Sequence, residues 1–313
     1  MPGNPDHFAI VGKEKTMKTI SLQFKTIAVA TDLSDASSAA LEYAQSIART
    51  YQSTLILVHV IDPLAYAFPD GAPAFLEANK AAREELDRIE EEARKQGIAI
   101  HSVVESGVVC ERILQSVRGH NADLLVLGTR GKSEAGRVAL GRIARQLLAK
   151  AQCPIMTISQ DAAASTPWSG SCRSVLAATD FSSASITGLR FAHQIALRQL
   201  ITLHVARDED ESGSWHCLEK LRFLAPFDES HSVPVEHIVV SGDAGERIAE
   251  YAEKYGADLV VLGSPVNELA EEDLHTSTVL QVISKVACPV LCVPFSMSTA
   301  PAEAQLTREA AAV

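Results

Sequence analysis

Short apolar runs separated by amphipathic stretches organise most of this chain. Residues 25–31 (KTIAVAT) form a brief β-rich run, after which Leu41, Ala44, Ile47, Ala48 and Tyr51 recur at helical spacing. Residues 54–60 (TLILVHV) are almost wholly apolar, as expected of a strand covered on both faces. A charged amphipathic pattern over 77–96, closed by Gly97, predicts a helix. A strand over 98–105, a helix over 110–120, a strand over 123–128, a helix over 138–150 and a fifth strand over 154–159 complete the series. Strands alternating with helices imply a parallel, doubly wound α/β sheet with right-handed crossovers. Such sheets bind ligands at the carboxyl ends of their strands, where the strand order reverses.

The series occurs twice. Residues 28–34 (AVATDLS) return as 176–182 (LAATDFS), and Leu41, Ala44, Ile47 and Ala48 return as Leu189, Ala192, Ile195 and Ala196. Later, Gly107, Glu111, Arg112, Ile113, Ala122, Asp123, Leu124, Leu127 and Gly128 match Gly242, Glu246, Arg247, Ile248, Ala257, Asp258, Leu259, Leu262 and Gly263 at a constant offset. Identities in one order over this span establish an internal duplication. They divide the chain into an N-terminal extension (1–23), a first domain (24–160), a linker (161–172), a second domain (173–295) and a tail (296–313). The first copy carries extra residues around 62–80, whose Pro and Gly content predicts a surface excursion.

Composition excludes several classes. No stretch approaches the ~20 apolar residues of a membrane span, and the first residues lack the apolar core of a secretory signal, so the expectation is a cytoplasmic protein. The six cysteines lack CxxC spacing; Cys288 and Cys292, in an apolar run that reads as a strand, would lie roughly 13 Å apart, too far for a disulfide. Buried structural thiols are the expectation. No His/Cys cluster suggests a metal. The net charge of −11 argues against a nucleic-acid partner. It is unevenly shared: residues 1–169 hold 18 Lys+Arg and 19 Asp+Glu, whereas 170–313 hold 10 and 20.

The asymmetry is concentrated after each copy's fourth strand. In the first copy, residues 128–146 (GTRGKSEAGRVALGRIARQ) carry Gly128, Gly131 and Gly141 with Arg130, Lys132, Arg137, Arg142 and Arg145 against the single acid Glu134. Glycines permit close backbone approach to an oxyanion, and the next helix presents its unpaired N–H groups there. Five cations around this loop suit a polyanion such as a triphosphate. Gly131-Lys132-Ser133 resembles the end of a Walker A motif, but the required preceding glycine is Val126, so the run is not a P-loop. The matching loop of the second copy, 263–281, has Val266 and Thr276 for the second and third glycines. It holds no Lys or Arg, and carries Glu268, Glu271, Glu272 and Asp273. The second copy is therefore not expected to hold a phosphate chain.

On these residues the chain resembles a tandem universal stress protein of the UspA superfamily, whose nucleotide-binding members share a G-x2-G-x9-G-[ST] loop, a strand-1 Asp and a strand-2 end like HV. The matching positions are Gly128, Gly131 and Gly141, Asp32 in TDLS, and Val60 in VHVID. The resemblance implies two Rossmann-like domains of the adenine nucleotide alpha hydrolase type, with Asp32 and Val60 beside adenosine. Arg130, Gly131, Arg142 and Ile143 would border the phosphates of ATP, which by the same analogy would carry Mg2+. Arg142 departs from the pattern by standing at the Ser/Thr position, where its bulk would either pair with phosphate or fill the pocket. From the residues alone, Asp32 suits either a ligand contact or a cap for the helix of 35–50, and the glycine loop either a phosphate site or a connector. His59 and His204 read as strand residues with satisfied nitrogens. The resemblance further implies pairing of the two fifth strands within the chain, homodimers beyond it and a regulatory protein partner. No catalytic pair is visible, so the expectation is a non-enzymatic ATP-binding regulator of stress response; the alternative is a protein-interaction module with both pockets silent.

Overall fold

The computed structural model describes residues 24–67, 71–129, 140–159, 172–206, 211–226, 233–264 and 277–294. The first copy runs β1 (Thr26–Thr31), α1 (Asp35–Tyr51), β2 (Thr54–Ile61), a 3-10 turn (Pro63–Tyr66), α2 (Gly71–Lys95), β3 (Ala99–Ser106), α3 (Val109–Gly119), β4 (Leu124–Gly128), α4 (Arg142–Lys150) and β5 (Ile155–Ile158). The second runs β6 (Cys172–Ala178), α5 (Ser183–Ile195), β7 (Ala196–Ala206), α6 (Glu211–Leu224), β8 (Val235–Ser241), α7 (Ala244–Lys254), β9 (Leu259–Ser264), α8 (Thr278–Lys285) and β10 (Val290–Pro294).

The apolar runs are strands because alternate residues serve opposite faces. Ile27, Val29, Leu55, Leu57, Leu124, Val126 and Met156 join one buried layer; Ala28, Ile56, Val58, Leu125, Leu127 and Ile155 join the other. Both layers run on into the second copy, through Val175, Leu291 and Val293 on one face and Leu176, Val260 and Cys292 on the other. Each copy is parallel internally, with order β3-β2-β1-β4-β5 in the first and β8-β7-β6-β9-β10 in the second.

The copies meet strand to strand. β5 and β10 pair antiparallel, Ile155 opposite Cys292, Met156 opposite Leu291 and Thr157 opposite Val290, giving a single ten-stranded sheet. Every side chain at this seam is buried, and burying each large one is worth about 1.5–3 kcal/mol. The intrachain pairing implied by the resemblance is present. Antiparallel pairing reverses the second copy, so the two sets of strand carboxyl ends open at opposite ends of the molecule.

Many repeated identities are explained by the scaffold. Asp123 Oδ2 accepts the N–H groups of Lys25 and Thr26, and Asp258 Oδ2 those of Arg173 and Ser174, so one carboxylate ties down the start of each first strand. Gly107 and Gly242 hold φ of 139° and 128°, which side chains disfavour, and the arginines Arg112 and Arg247 pack over them.

Some boundaries differ from expectation. Residues 62–80, read as a surface excursion, fold largely as the 3-10 turn and the first turns of α2. Pro73 is tolerated there because a helix's first N–H groups lack intrahelical partners anyway. α4 begins at Arg142 rather than 138, with Gly141 as its N-cap. β6 already includes Cys172, and Cys288 precedes β10 rather than lying within it. Cys110, Cys153, Cys172 and Cys292 are buried thiols, while Cys217 and Cys288 are partly exposed. Burial pushes the Cys153 thiol up to about 11 and that of Cys292 up to about 12, which keeps both protonated and unreactive near neutrality.

One end of the sheet is closed by a side-chain pair. On α2, Glu90 is buried beneath the edge strand, where its carboxylate accepts the Ser102 N–H and pairs with Arg94; Arg94 also donates to the Ile100 carbonyl. Together they supply the acceptor and donor that another strand would offer β3. Burial alone would raise the Glu90 carboxyl, but the Ser102 bonds and Arg94 outweigh it and hold it below the usual range. Among the described residues, no helix is long and apolar enough to cross a membrane.

Candidate functional site

Strand order reverses between β1 and β4, so the chain leaving β1 passes to one side and the chain leaving β4 to the other. A crevice of about 240 Å³ opens there. Ala30, Val60, Val109, Ile113 and Leu127 give it apolar walls; Thr31, Asp32, Ser37 and Thr129 give it polar groups; Gly128, Gly141, Arg142, Ile143, Ala144 and Leu147 complete the lining.

The β1–α1 corner is built from the sequence TDLSDAS. Leu33 adopts φ 60°, its N–H donates to Thr31 Oγ1, and the chain turns so that Ser34 caps α1. Ser34 accepts from Ser37 N–H, and Ser37 Oγ accepts in return from Ser34 N–H, a reciprocal capping box. Asp32 Oδ1 accepts from Ser34 N–H at 3.1 Å and from Ser34 Oγ at 2.5 Å. Asp32 is thus not the cap, which corrects that reading; it fixes the capping serine and lies half-buried in the crevice wall. His59 Nδ1 lies 2.9 Å from the Thr31 carbonyl and ties the ends of β1 and β2 together.

Opposite this corner, the glycine loop leaves and returns at nearly the same place. Thr129 N–H donates to Ile158 and Gly141 N–H donates to the Thr129 carbonyl at 2.8 Å. Gly141 is the N-cap of α4 and has no side chain to accept from the helix's first turn. The dipole and N–H groups at that end therefore face the crevice without a side-chain cap. Arg142, at the first helical position, is exposed and lines the crevice rim rather than being buried inside it. Arg130 and Gly131 lie outside the described residues, as do Lys132 and Arg137. Among the described residues, no group of three or more His, Cys, Asp or Glu is arranged for a metal.

Six of the eight expected residues, Asp32, Val60, Gly128, Gly141, Arg142 and Ile143, are brought together. Sequence reasoning missed the α3 wall of Val109 and Ile113, and the polar Ser37 and Thr129. The repeated Ile113/Ile248 pair was the available signal for α3, but its helical spacing suits a core position equally well.

The second copy has the same corner. Phe181 has φ 65° and donates to Thr179 Oγ1, Ser182 caps α5, and Asp180 Oδ1 accepts from Ser182 N–H. Burial would raise the Asp180 carboxyl, yet the bonds from Ser182 and Ser185 hold it below its ordinary value. The rest differs. The crevice is about 120 Å³. Ser277 caps α8 and accepts from Leu280 N–H, so that helix end is already engaged.

Residues 23–159 and 172–294 each match the model of the Universal stress protein family. A universal stress protein of Thermus aquaticus is 34% identical over 139 residues, 43% of this chain and 98% of its own length. Another, from Methanocaldococcus jannaschii, is 28% identical over 141 residues, 44% of this chain and 83% of its own. The crystal structure of a universal stress protein from Archaeoglobus fulgidus aligns with a TM-score of 0.72 at 19% identity, covering 87% of this chain and 97% of its own, a likeness of fold.

Proposed function

The chain belongs to the universal stress protein family, and we propose that it is a stress-response regulator that binds ATP in its first copy and none in its second. The observation that carries this reading is the crevice at the first copy's switch point. It joins an apolar slot between Val60, Val109 and Ile113 to a helix N-terminus whose cap is glycine. The slot suits a base and sugar, with Asp32 placed to accept from a hydroxyl. The α4 end and Arg142 suit phosphates, which would bring Mg2+ with them. In the second copy the equivalent helix end is capped by Ser277, and the loop sequence carries four acids.

We read the nucleotide as a ligand rather than a substrate. The crevice carboxylate, Asp32, is held at Oδ1 by Ser34 N–H and Oγ, which makes it a fixed acceptor for a ligand hydroxyl rather than a group positioned to take up and release a proton. A ligand at 100-fold excess over its Kd stabilises the bound form by about 2.7 kcal/mol, enough to shift a conformational balance in a cytoplasmic sensor. Calorimetric titration with Mg-ATP tests this. Wild type should bind, and Asp32→Ala should bind about tenfold more weakly. A wild type that evolves no heat of binding and gains no thermal stability from Mg-ATP leaves the interaction-module reading in its place.

A further inference from the structure

The two crevices differ twofold in volume, about 240 against 120 Å³, although their strand-1 corners make the same turn. Among the described residues, differences in lining side chains do not account for this. Val109 becomes Ala244 in the second copy, which removes bulk; Ala144 becomes Val279, which returns it; Ile143 becomes Thr278, which removes a little more. Among the described elements, the separation of the two helices that form the outer wall is the variable that remains.

One position governs that separation. The second residue of α3 is Cys110, 3% exposed, and its counterpart on α7 is Gly245. A Cβ built on Gly245 would lie 2.1 Å from Oε1 of Gln281 on α8 and 2.6 Å from that residue's own Cβ. The amide end can swing aside, but the Cβ is fixed to the α8 backbone, so no side chain fits at 245 unless the helix moves. Gln146 occupies the matching position on α4, which leaves Cys against Gly as the change at this contact. We propose that Cys110 is a spacer that holds α4 away from α3 and keeps the first crevice wide enough for a nucleotide, while Gly245 lets α8 close onto α7 and shuts the second. The part of Cys110 that acts is its bulk at Cβ, not its thiol chemistry. Only the affinity consequence rests on the ATP reading above; the helix spacing stands on geometry alone.

The test has two arms. Mg-ATP is titrated into wild type, Cys110→Ala and Cys110→Gly, and nucleotide-free crystal structures are solved for wild type, Cys110→Gly and Gly245→Ala. Alanine keeps the Cβ, so its affinity should stay within about twofold of wild type, while glycine should weaken binding about tenfold. The crevice of Cys110→Gly should contract toward the volume of the second copy, and that of Gly245→Ala should widen toward the first. Equal losses for alanine and glycine overturn the spacer, because they would assign the effect to the thiol. So do structures in which the helix separations are unchanged. If Gly245→Ala does not fold, the Cys110→Gly structure decides the geometry. A wild type that binds no Mg-ATP would remove the nucleotide reading while leaving the structural arm to decide the spacer.

Discussion

The first crevice lies between helices kept apart by Cys110 and is bordered by a glycine-capped helix; the second lies between helices that meet at Gly245 and is bordered by a serine-capped one. Their floors are alike. Thr31 and Thr179, Asp32 and Asp180, and Ser34 and Ser182 make the same turn, with matching bonds from the backbone N–H groups to the Thr and Asp side chains. The comparison separates what the fold requires from what a ligand requires. A corner retained in a copy with little room and an acidic loop is there to start a helix, so a strand-1 Asp is not by itself evidence of a nucleotide. Space and an uncapped helix end carry the discrimination.

This division can be broken or sharpened by experiment. The largest expected effect is structural and should be equal in both copies. Asp123→Ala and Asp258→Ala each remove two bonds from backbone N–H groups to a carboxylate and should each cost about 3 kcal/mol in denaturant unfolding. A marked inequality would mean that the copies do not share a scaffold as described. Next, Gly141→Val should weaken Mg-ATP binding about a hundredfold, equivalent to about 2.7 kcal/mol. Its φ of −63° is one that any residue adopts, so valine adds bulk at the crevice without backbone strain. Stability should be nearly unchanged; a comparable loss of stability would show that the glycine serves the fold.

Glu90→Gln probes the closed edge beside β3. Losing the charge should cost about 1–2 kcal/mol at pH 7. Because the folded Glu90 is held below the ordinary carboxylate value of 4.5, its contribution is complete above that pH and disappears as pH falls through the depressed value. Wild type and variant should therefore converge in acid; a difference that persists there would assign the effect to packing. The smallest effect is at the caps. Ser34→Ala and Ser182→Ala should each cost about 1 kcal/mol by thermal melting. Ser34→Ala alone should also reduce nucleotide affinity, since only there does the cap hold a carboxylate against a roomy crevice.

Much of the architecture was legible because it is periodic. Apolar runs such as 54–60 declare strands buried on both faces, and the repeat shows that one five-stranded unit occurs twice and where each switch point falls. Asp32, Val60 and Gly128 could be placed on one crevice from strand ends alone. Contacts between elements distant in sequence were less visible. The α3 wall depends on how α3 packs over β2 and β1, and Pro73 disguised the start of α2 by occupying a position where proline costs little. Asp32 looked like a cap because Asp is a good one, but Ser34 is two residues closer to the helix and its partner Ser37 completes the box. The Cys110/Gly245 difference was readable as a substitution, yet its meaning lies in the approach of α8, which no local pattern encodes.

The central claim is that one copy in two holds nucleotide, so the most direct measurement is stoichiometry. Equilibrium dialysis of the full chain against labelled Mg-ATP should saturate at one nucleotide per chain, and Gly141→Val should abolish that binding over the same range. Saturation at two per chain, or undiminished binding by the variant, would contradict the account.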